Sequence, residues 1–205
     1  MEEGLGASEG FPRPRFMATD GKVVVDTTDN TETNHQSWFK AGAKTQPTWR
    51  KMIFILLYQE LKRVPTIEEI RDYQINRLGR IKSDHAILEL MPLPAKSIKK
   101  ADWIYQDILL IGLTNRAEYI ASYLPERVRG LKALIEKHQP KLVIFYSRTY
   151  LPYWQLIVPS ELKEVIPGKM HIAKIAHITY AVTAHPVSRG ITKQDWEKIA
   201  KKLLM

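Results

Sequence analysis

The chain has no cysteine among its 205 residues. This absence excludes disulfide bonds, thiolate metal sites and a cysteine nucleophile. No uninterrupted apolar run is long enough to cross a bilayer, and the first residues show no signal-peptide pattern. We therefore expect a cytoplasmic protein that has no membrane partner.

Several phosphate-binding and catalytic motifs are missing as well. The chain contains neither a GxxxxGK segment followed by Ser or Thr nor a GxGxxG segment, which argues against a nucleoside triphosphate or dinucleotide site. It has no GxSxG nucleophile elbow and no HExxH zinc pair. We expect neither a metal ion nor a cofactor.

Acidic residues are the scarcer charge. The 31 Lys and Arg residues outnumber the 22 Asp and Glu residues, which gives a formal net charge of +9. This balance favours an anionic partner, and it favours nucleic acid over a membrane surface because no basic amphipathic helix stands out.

Apolar segments of two kinds alternate along the chain. Period-two or continuous apolar runs predict strands at 22–26, 86–90, 141–146 and 172–182. Helical spacing predicts helices at 49–61, 66–78, 115–138 (one helix or two, because of Pro125), 150–157, 161–166 and 192–204. The pattern is typical of an α/β three-layer sandwich, with a mainly parallel sheet of about four strands and helices on both faces. We expect a flexible lead at 1–20 and a single domain at 21–205.

The segment 178–190 carries the densest chemistry. Its β-branched and aromatic residues predict a strand that ends before Pro186, which cannot donate to a sheet. Thr192, with Asp195 three residues later, forms a capping box that begins the last helix, and Thr66 with Glu69 forms another at the start of the predicted helix 66–78. The loop between them carries an imidazole, a hydroxyl and a guanidinium, on His185, Ser188 and Arg189. An ordinary polar turn would have the same composition.

Loops follow three of the predicted strands at what would be one edge of the sheet, at 91–97, 147–150 and 185–190, and the loop 26–35 is a fourth candidate. Hydroxyl and cationic side chains in such loops suit phosphate groups. The candidates are Lys96, Ser97, Ser147, Arg148, Ser188 and Arg189. Nearby aromatic residues would either stack on a base or pack in the core: Trp103, Tyr146, Tyr150, Tyr153 and Trp154.

Three segments in this order resemble the uracil-DNA glycosylase superfamily. They are AILELMPLPAKS at 86–97, KLVIFYSRTYLPYW at 141–154, and TAHPVSRG at 183–190 leading into DWEKIAKKL. The resemblance covers roughly residues 85–205. It implies an enzyme that hydrolyses the N-glycosidic bond of a damaged or deaminated base in single- or double-stranded DNA.

The resemblance also implies roles for individual residues. His185 would contact the extruded base, and the loop with Pro92 and Pro94 would contact DNA. Base recognition would involve Glu89, Tyr146 and Val187, of which Val187 takes the position of the wedge. Glu89 stands where the family has an amide, and its carboxylate favours an amino-bearing base over uracil.

The water-activating motif of the family, a Gly-x-Asp/Asn-Pro type of loop, has no counterpart in this sequence. Residues 26–30 follow the first predicted strand, and Asp26 or Asp29 there would position water beside the sugar. The candidate catalytic residues are therefore His185, Asp29 and Asp26.

Two other interpretations remain open. The chain could be a catalytically inactive, nucleic-acid-binding relative that has lost the water-activating motif. It could also be an unrelated small-molecule α/β enzyme in which the segment 185–190 is a coincidence. Whether the protein is an active glycosylase or the inactive relative, we expect a monomer that is nucleoid-associated when it is bound to DNA.

Overall fold

The computed structural model describes residues 36–80, 83–91, 93, 103, 105, 106 and 112–204. These residues form two compact units. The first unit consists of the described residues of 88–138, and the second consists of those of 36–87 and 139–204. The predicted lead at 1–20 and the predicted strand at 22–26 lie outside the described residues.

The second unit is built on a four-stranded sheet. Its strands are β1 (Leu142–Tyr146), β2 (Lys163–Ile166), β3 (Met170–Ile175) and β4 (Ile178–Thr183), in the order β1-β4-β3-β2. β1 and β4 are parallel, whereas β4 with β3 and β3 with β2 are antiparallel. The α/β class is confirmed, but the sheet is mixed, so the prediction of a mainly parallel sheet is not confirmed.

A tight turn inside residues 172–182, which were predicted as one strand, accounts for the mixed sheet. Ala176 and His177 connect β3 to β4, and Ile175 pairs with Ile178 across the turn. Ala176 has a φ of +52°, in the left-handed region that favours Gly or Asn. Neither of those residues is present, so no sequence signal marked the hairpin.

The segment 161–166 was predicted as a helix, and this prediction is wrong because it contains the edge strand β2. The Gln155 side chain holds the backbone that leads into the strand. Its Nε2 donates to the Ser160 carbonyl over 2.8 Å, and its Oε1 accepts from the Leu162 N–H over 2.9 Å. Pairing with β3 then satisfies the strand itself and overrides its local preference.

Five α-helices lie in the described residues. They are α1 (Pro47–Leu61), α2 (Ile67–Asn76), α3 (Arg116–His138), α4 (Leu151–Ile157) and α5 (Lys193–Lys202). The predicted capping boxes begin α2 and α5, with Thr66 bonded to Glu69 and Thr192 bonded to Asp195. No helix in these ranges is both long enough and apolar enough to span a membrane.

The core of the second unit lies between one face of the sheet and the helices α1, α2 and α5. Trp196, Ile199 and Leu203 are buried there. A hydrogen bond of 3.0 Å from Gln59 Nε2 to the Ala200 carbonyl joins α1 to α5. These contacts fix α5, and with it the loop that precedes α5.

In the first unit, α3 continues through Pro125 as one helix. Residues 86–90, which were predicted as a strand, adopt no strand. The Glu89 carbonyl instead accepts from Arg127, at 2.8 Å from Nε and 2.5 Å from Nη2, and Arg127 is buried. A side chain thus takes the backbone acceptor that a neighbouring strand would have used.

Candidate functional site

The carboxyl ends of β1 and β4 lie side by side in the sheet. The parallel register pairs Tyr146, the last residue of β1, with Thr183, the last residue of β4. The loops 147–150 and 184–191 therefore start at one edge, which confirms their predicted proximity. Polar loops at the carboxyl ends of adjacent parallel strands form the crevice in which open α/β sheets bind ligands.

His185 is half-buried at this edge and lies against Tyr146. The two ring centroids are 6.0 Å apart, with an interplanar angle of 69°. This edge-on geometry is favourable for a pair of aromatic rings. Tyr146 therefore limits the orientations that the imidazole can adopt.

The backbone of the loop determines the tautomer of His185, and burial keeps its ring neutral. The Val187 N–H donates to Nδ1 over 3.3 Å, and the Ser188 N–H donates to the His185 carbonyl over 2.8 Å. Because Nδ1 accepts, the ring proton of neutral His185 is on Nε2. Burial lowers the pKa of His185 below its ordinary value, so the neutral ring predominates at pH 7. The site thus presents a neutral Nε2–H donor.

Beyond His185 the loop extends into solvent. Pro186 is buried and supports the turn, whereas Val187, Ser188 and Arg189 are exposed. The Val187 side chain is 54% exposed. The loop therefore offers an apolar tip flanked by a hydroxyl and a guanidinium.

Ser147 makes the turn at the end of β1 with a strained backbone. It is buried, and its φ of +80° and ψ of 102° lie in a region of backbone conformation that residues other than Gly rarely adopt. Such a conformation costs about 1–3 kcal/mol. Its carbonyl accepts from Trp154 Nε1 at 3.0 Å, and Trp154 stacks on Phe145 with ring centroids 4.8 Å apart. These contacts hold Ser147 in its unfavourable conformation.

Arg148 follows in the 3-10 turn Arg148–Tyr150 and is exposed. A Cβ placed on Gly168 would lie 3.5 Å from Arg148 Nη1, so the guanidinium reaches the turn between β2 and β3. That turn is at the same edge of the sheet, since Met170 pairs with Thr183. Arg148 therefore adds a positive charge to this edge.

Lys169 also belongs to the edge, and sequence reasoning missed it. Its carbonyl accepts from the Ala184 N–H over 3.0 Å, at the start of the loop 184–191. Its ammonium lies 2.6 Å from Asp195 Oδ1, beyond the end of that loop. The other carboxylate oxygen of Asp195 accepts from the backbone of Thr192. One lysine therefore anchors both ends of the loop.

The charge on Asp195 is well stabilised. Its hydrogen bond with Lys169, followed by its bond with the Thr192 backbone, lowers the pKa of Asp195 to about 2. The ion pair is therefore charged at neutral pH. Only the pairing across β3 and β4 brings Lys169 near Asp195, and that pairing has no local sequence signal.

The remaining predicted residues are not brought into this site by the described structure. Glu89 lies in the first unit. Six candidates lie outside the described residues: Asp26, Asp29, Pro92, Pro94, Lys96 and Ser97. Among the residues that are described, no group of three or more His, Asp or Glu side chains could hold a metal ion.

The known proteins offer no assignment for this arrangement. Neither a family model, nor a curated protein, nor a solved structure matches the chain.

Proposed function

We propose that this protein binds DNA at the edge formed by β1 and β4, extrudes a damaged or deaminated base and hydrolyses its N-glycosidic bond. The observation that carries the proposal is the neutral imidazole of His185, held by Tyr146 and by the Val187 N–H beside two polar loops. The order of motifs that resembles the uracil-DNA glycosylase superfamily supports it. We also propose that the fold is a three-layer sandwich with helices on both faces of the sheet.

The chemistry follows from the donor that the site presents. As the bond between C1′ and the base breaks, its electron pair leaves with the base and negative charge grows on a base carbonyl oxygen. The Nε2–H of His185 would stabilise that oxygen, as oriented donors do in other sites. Water would add to C1′ and give its proton to the carboxylate of Asp29 or Asp26.

The exposed part of the loop would bind and open the duplex. Val187, which is 54% exposed, would enter the base stack in place of the extruded nucleotide. Ser147, Ser188, Arg148 and Arg189 would contact phosphates, together with Lys96, Ser97 and the loop of Pro92 and Pro94. The carboxylate of Glu89 would accept a hydrogen bond from the amino group of an amino-bearing base.

The test is base release from single- and double-stranded oligonucleotides that carry uracil, hypoxanthine, xanthine or 8-oxoguanine, the last of which keeps an amino group. We expect one of them to release free base with the wild-type protein and much less with Asp29→Asn or Asp26→Asn. Asp72→Asn is a matched control, because Asp72 is an exposed carboxylate on α2. Absence of free base from every substrate would overturn the proposal.

A DNA-binding relative without activity is the second candidate. One observation favours it: the sequence has no counterpart of the family's water-activating Gly-x-Asp/Asn-Pro loop. Duplex binding that weakens as salt rises, with no base release by the wild type and no effect of Asp29→Asn, would favour this candidate.

A further inference from the structure

Three cations from two helices lie close together beside the end of the loop 184–191. Arg50 and Lys51 belong to the first turns of α1, and Lys193 is the first residue of α5. Lys51 Nζ lies 5.9 Å from the centroid of the Trp196 ring, on the next turn of α5. This contact places the ammonium of Lys51 against the first turns of α5, where Lys193 begins the helix.

These cations have little compensation from acidic groups. Lys193 lies 4.0 Å from Glu197, whereas neither Arg50 nor Lys51 has a carboxylate at ion-pair distance in the described part of the chain. Partial burial, followed by the charges of Arg50 and Lys193, lowers the pKa of Lys51. The like charges therefore repel one another in the free protein, and an anionic ligand would remove that repulsion.

The cluster continues the predicted DNA-binding loop. Arg189 precedes Lys193 by four residues, a length of chain that spans at most about 14 Å. The rise of DNA is about 3.4 Å per phosphate on each strand, so this span corresponds to about four nucleotides. One backbone strand can therefore contact both groups of residues.

We propose that Arg50, Lys51 and Lys193 form a second phosphate-binding surface that extends the DNA contact from the loop 184–191 onto α1. This inference deepens the proposed function and rests on it. The partner is the phosphate backbone of duplex DNA, and the contact is independent of base sequence.

The test compares two double variants that remove the same charge. Arg50→Gln/Lys51→Gln removes two cations of the surface, and Lys141→Gln/Lys174→Gln removes two exposed lysines from the opposite edge of the sheet. Binding to an undamaged duplex is measured at salt concentrations from about 50 to about 300 mM, a roughly sixfold range. Thermal melting of each double variant, and of a single Arg50→Gln variant, verifies that the fold is intact.

We expect the first variant to bind at least about tenfold more weakly at low salt, and the slope of log K against log salt to fall by about 1 to 2. The control pair should leave the slope unchanged. An unchanged slope in Arg50→Gln/Lys51→Gln, or an equal change in the control pair, would overturn the proposed surface.

The same proteins distinguish this inference from the proposed function. Suppose that Arg50→Gln/Lys51→Gln lowers the slope of log K against log salt, whereas the wild type releases no base and Arg189→Gln binds normally. The surface is then correct and the proposed function is wrong. If base is released and the slope does not change, the proposed function stands without this surface. A wild type that binds no duplex at low salt contradicts both.

Discussion

Lys169 Nζ lies 2.6 Å from Asp195 Oδ1, and the carbonyl of the same lysine accepts from the Ala184 N–H. The loop 184–191 is thus closed at both ends by a single residue of the β2–β3 turn. We expect this arrangement to determine how firmly His185 is held. Its consequences can be measured with or without a DNA substrate.

Substitution of Lys169 by Met should loosen the loop, because the ammonium that holds α5 is lost. We expect faster hydrogen exchange at Ser188 and a loss of base release of about 10- to 100-fold, as for small displacements of a catalytic group. Lys174→Met is the control, since it removes the same charge from an exposed position at the opposite edge of the sheet. Equal exchange rates in the two variants would refute the bracing role.

The ion pair should also give the protein a characteristic acid sensitivity. The pKa of Asp195 falls from 3.8 to about 2 on folding, so its contribution to stability is complete above pH 3.8 and disappears as the pH falls through about 2. Thermal melting between pH 5 and about pH 2 should show a smaller acid loss for Asp195→Asn than for the wild type. Equal losses of melting temperature with falling pH in the two proteins would contradict this role of the ion pair.

The protonation state of His185 can be observed directly. Burial lowers its pKa below 6.5, so its contribution to stability is complete above pH 6.5 and decreases as the pH falls towards the folded pKa. A nitrogen-detected NMR titration should show the Nε2–H tautomer at pH 7 and a midpoint below 6.5. A midpoint above 6.5, or an Nδ1–H tautomer, would remove the donor from the proposed mechanism.

Two effects of Ser147 can be measured separately: the strain of its backbone and the proposed phosphate contact of its hydroxyl. Ser147→Gly should raise the free energy of unfolding by about 1 kcal/mol, because Gly adopts a φ of +80° without strain. Ser147→Ala keeps the strain and should show no such gain. Both variants lose the hydroxyl, so an equal loss of DNA affinity in both would assign that loss to the phosphate contact. Denaturant titration measures the first effect, and an Ala variant as stable as the Gly variant would exclude strain.

Residues with short-range signals made part of this structure predictable. The pairs Thr66 with Glu69 and Thr192 with Asp195 marked two helix starts, and the continuous apolar run at 141–146 marked β1. Its parallel pairing with the last strand followed, which is why the loops of Ser147 and His185 were expected at one edge.

Long-range pairing accounts for what the sequence did not reveal. The turn at Ala176 lacks Gly or Asn, so the β3–β4 hairpin was hidden inside one predicted strand. The turn that carries Lys169 was therefore not placed at the site. The Glu89 carbonyl is occupied by Arg127, a contact 38 residues away that no local pattern indicates.

The most direct test of the account is the single-turnover rate of base release by wild type, His185→Ala and His177→Ala. His177 is the matched control, an exposed histidine in the turn at the opposite edge of the sheet. We expect His185→Ala to slow release by about 100-fold or more while His177→Ala keeps the wild-type rate. Wild-type release that His185→Ala leaves unchanged would contradict a site at the end of β4.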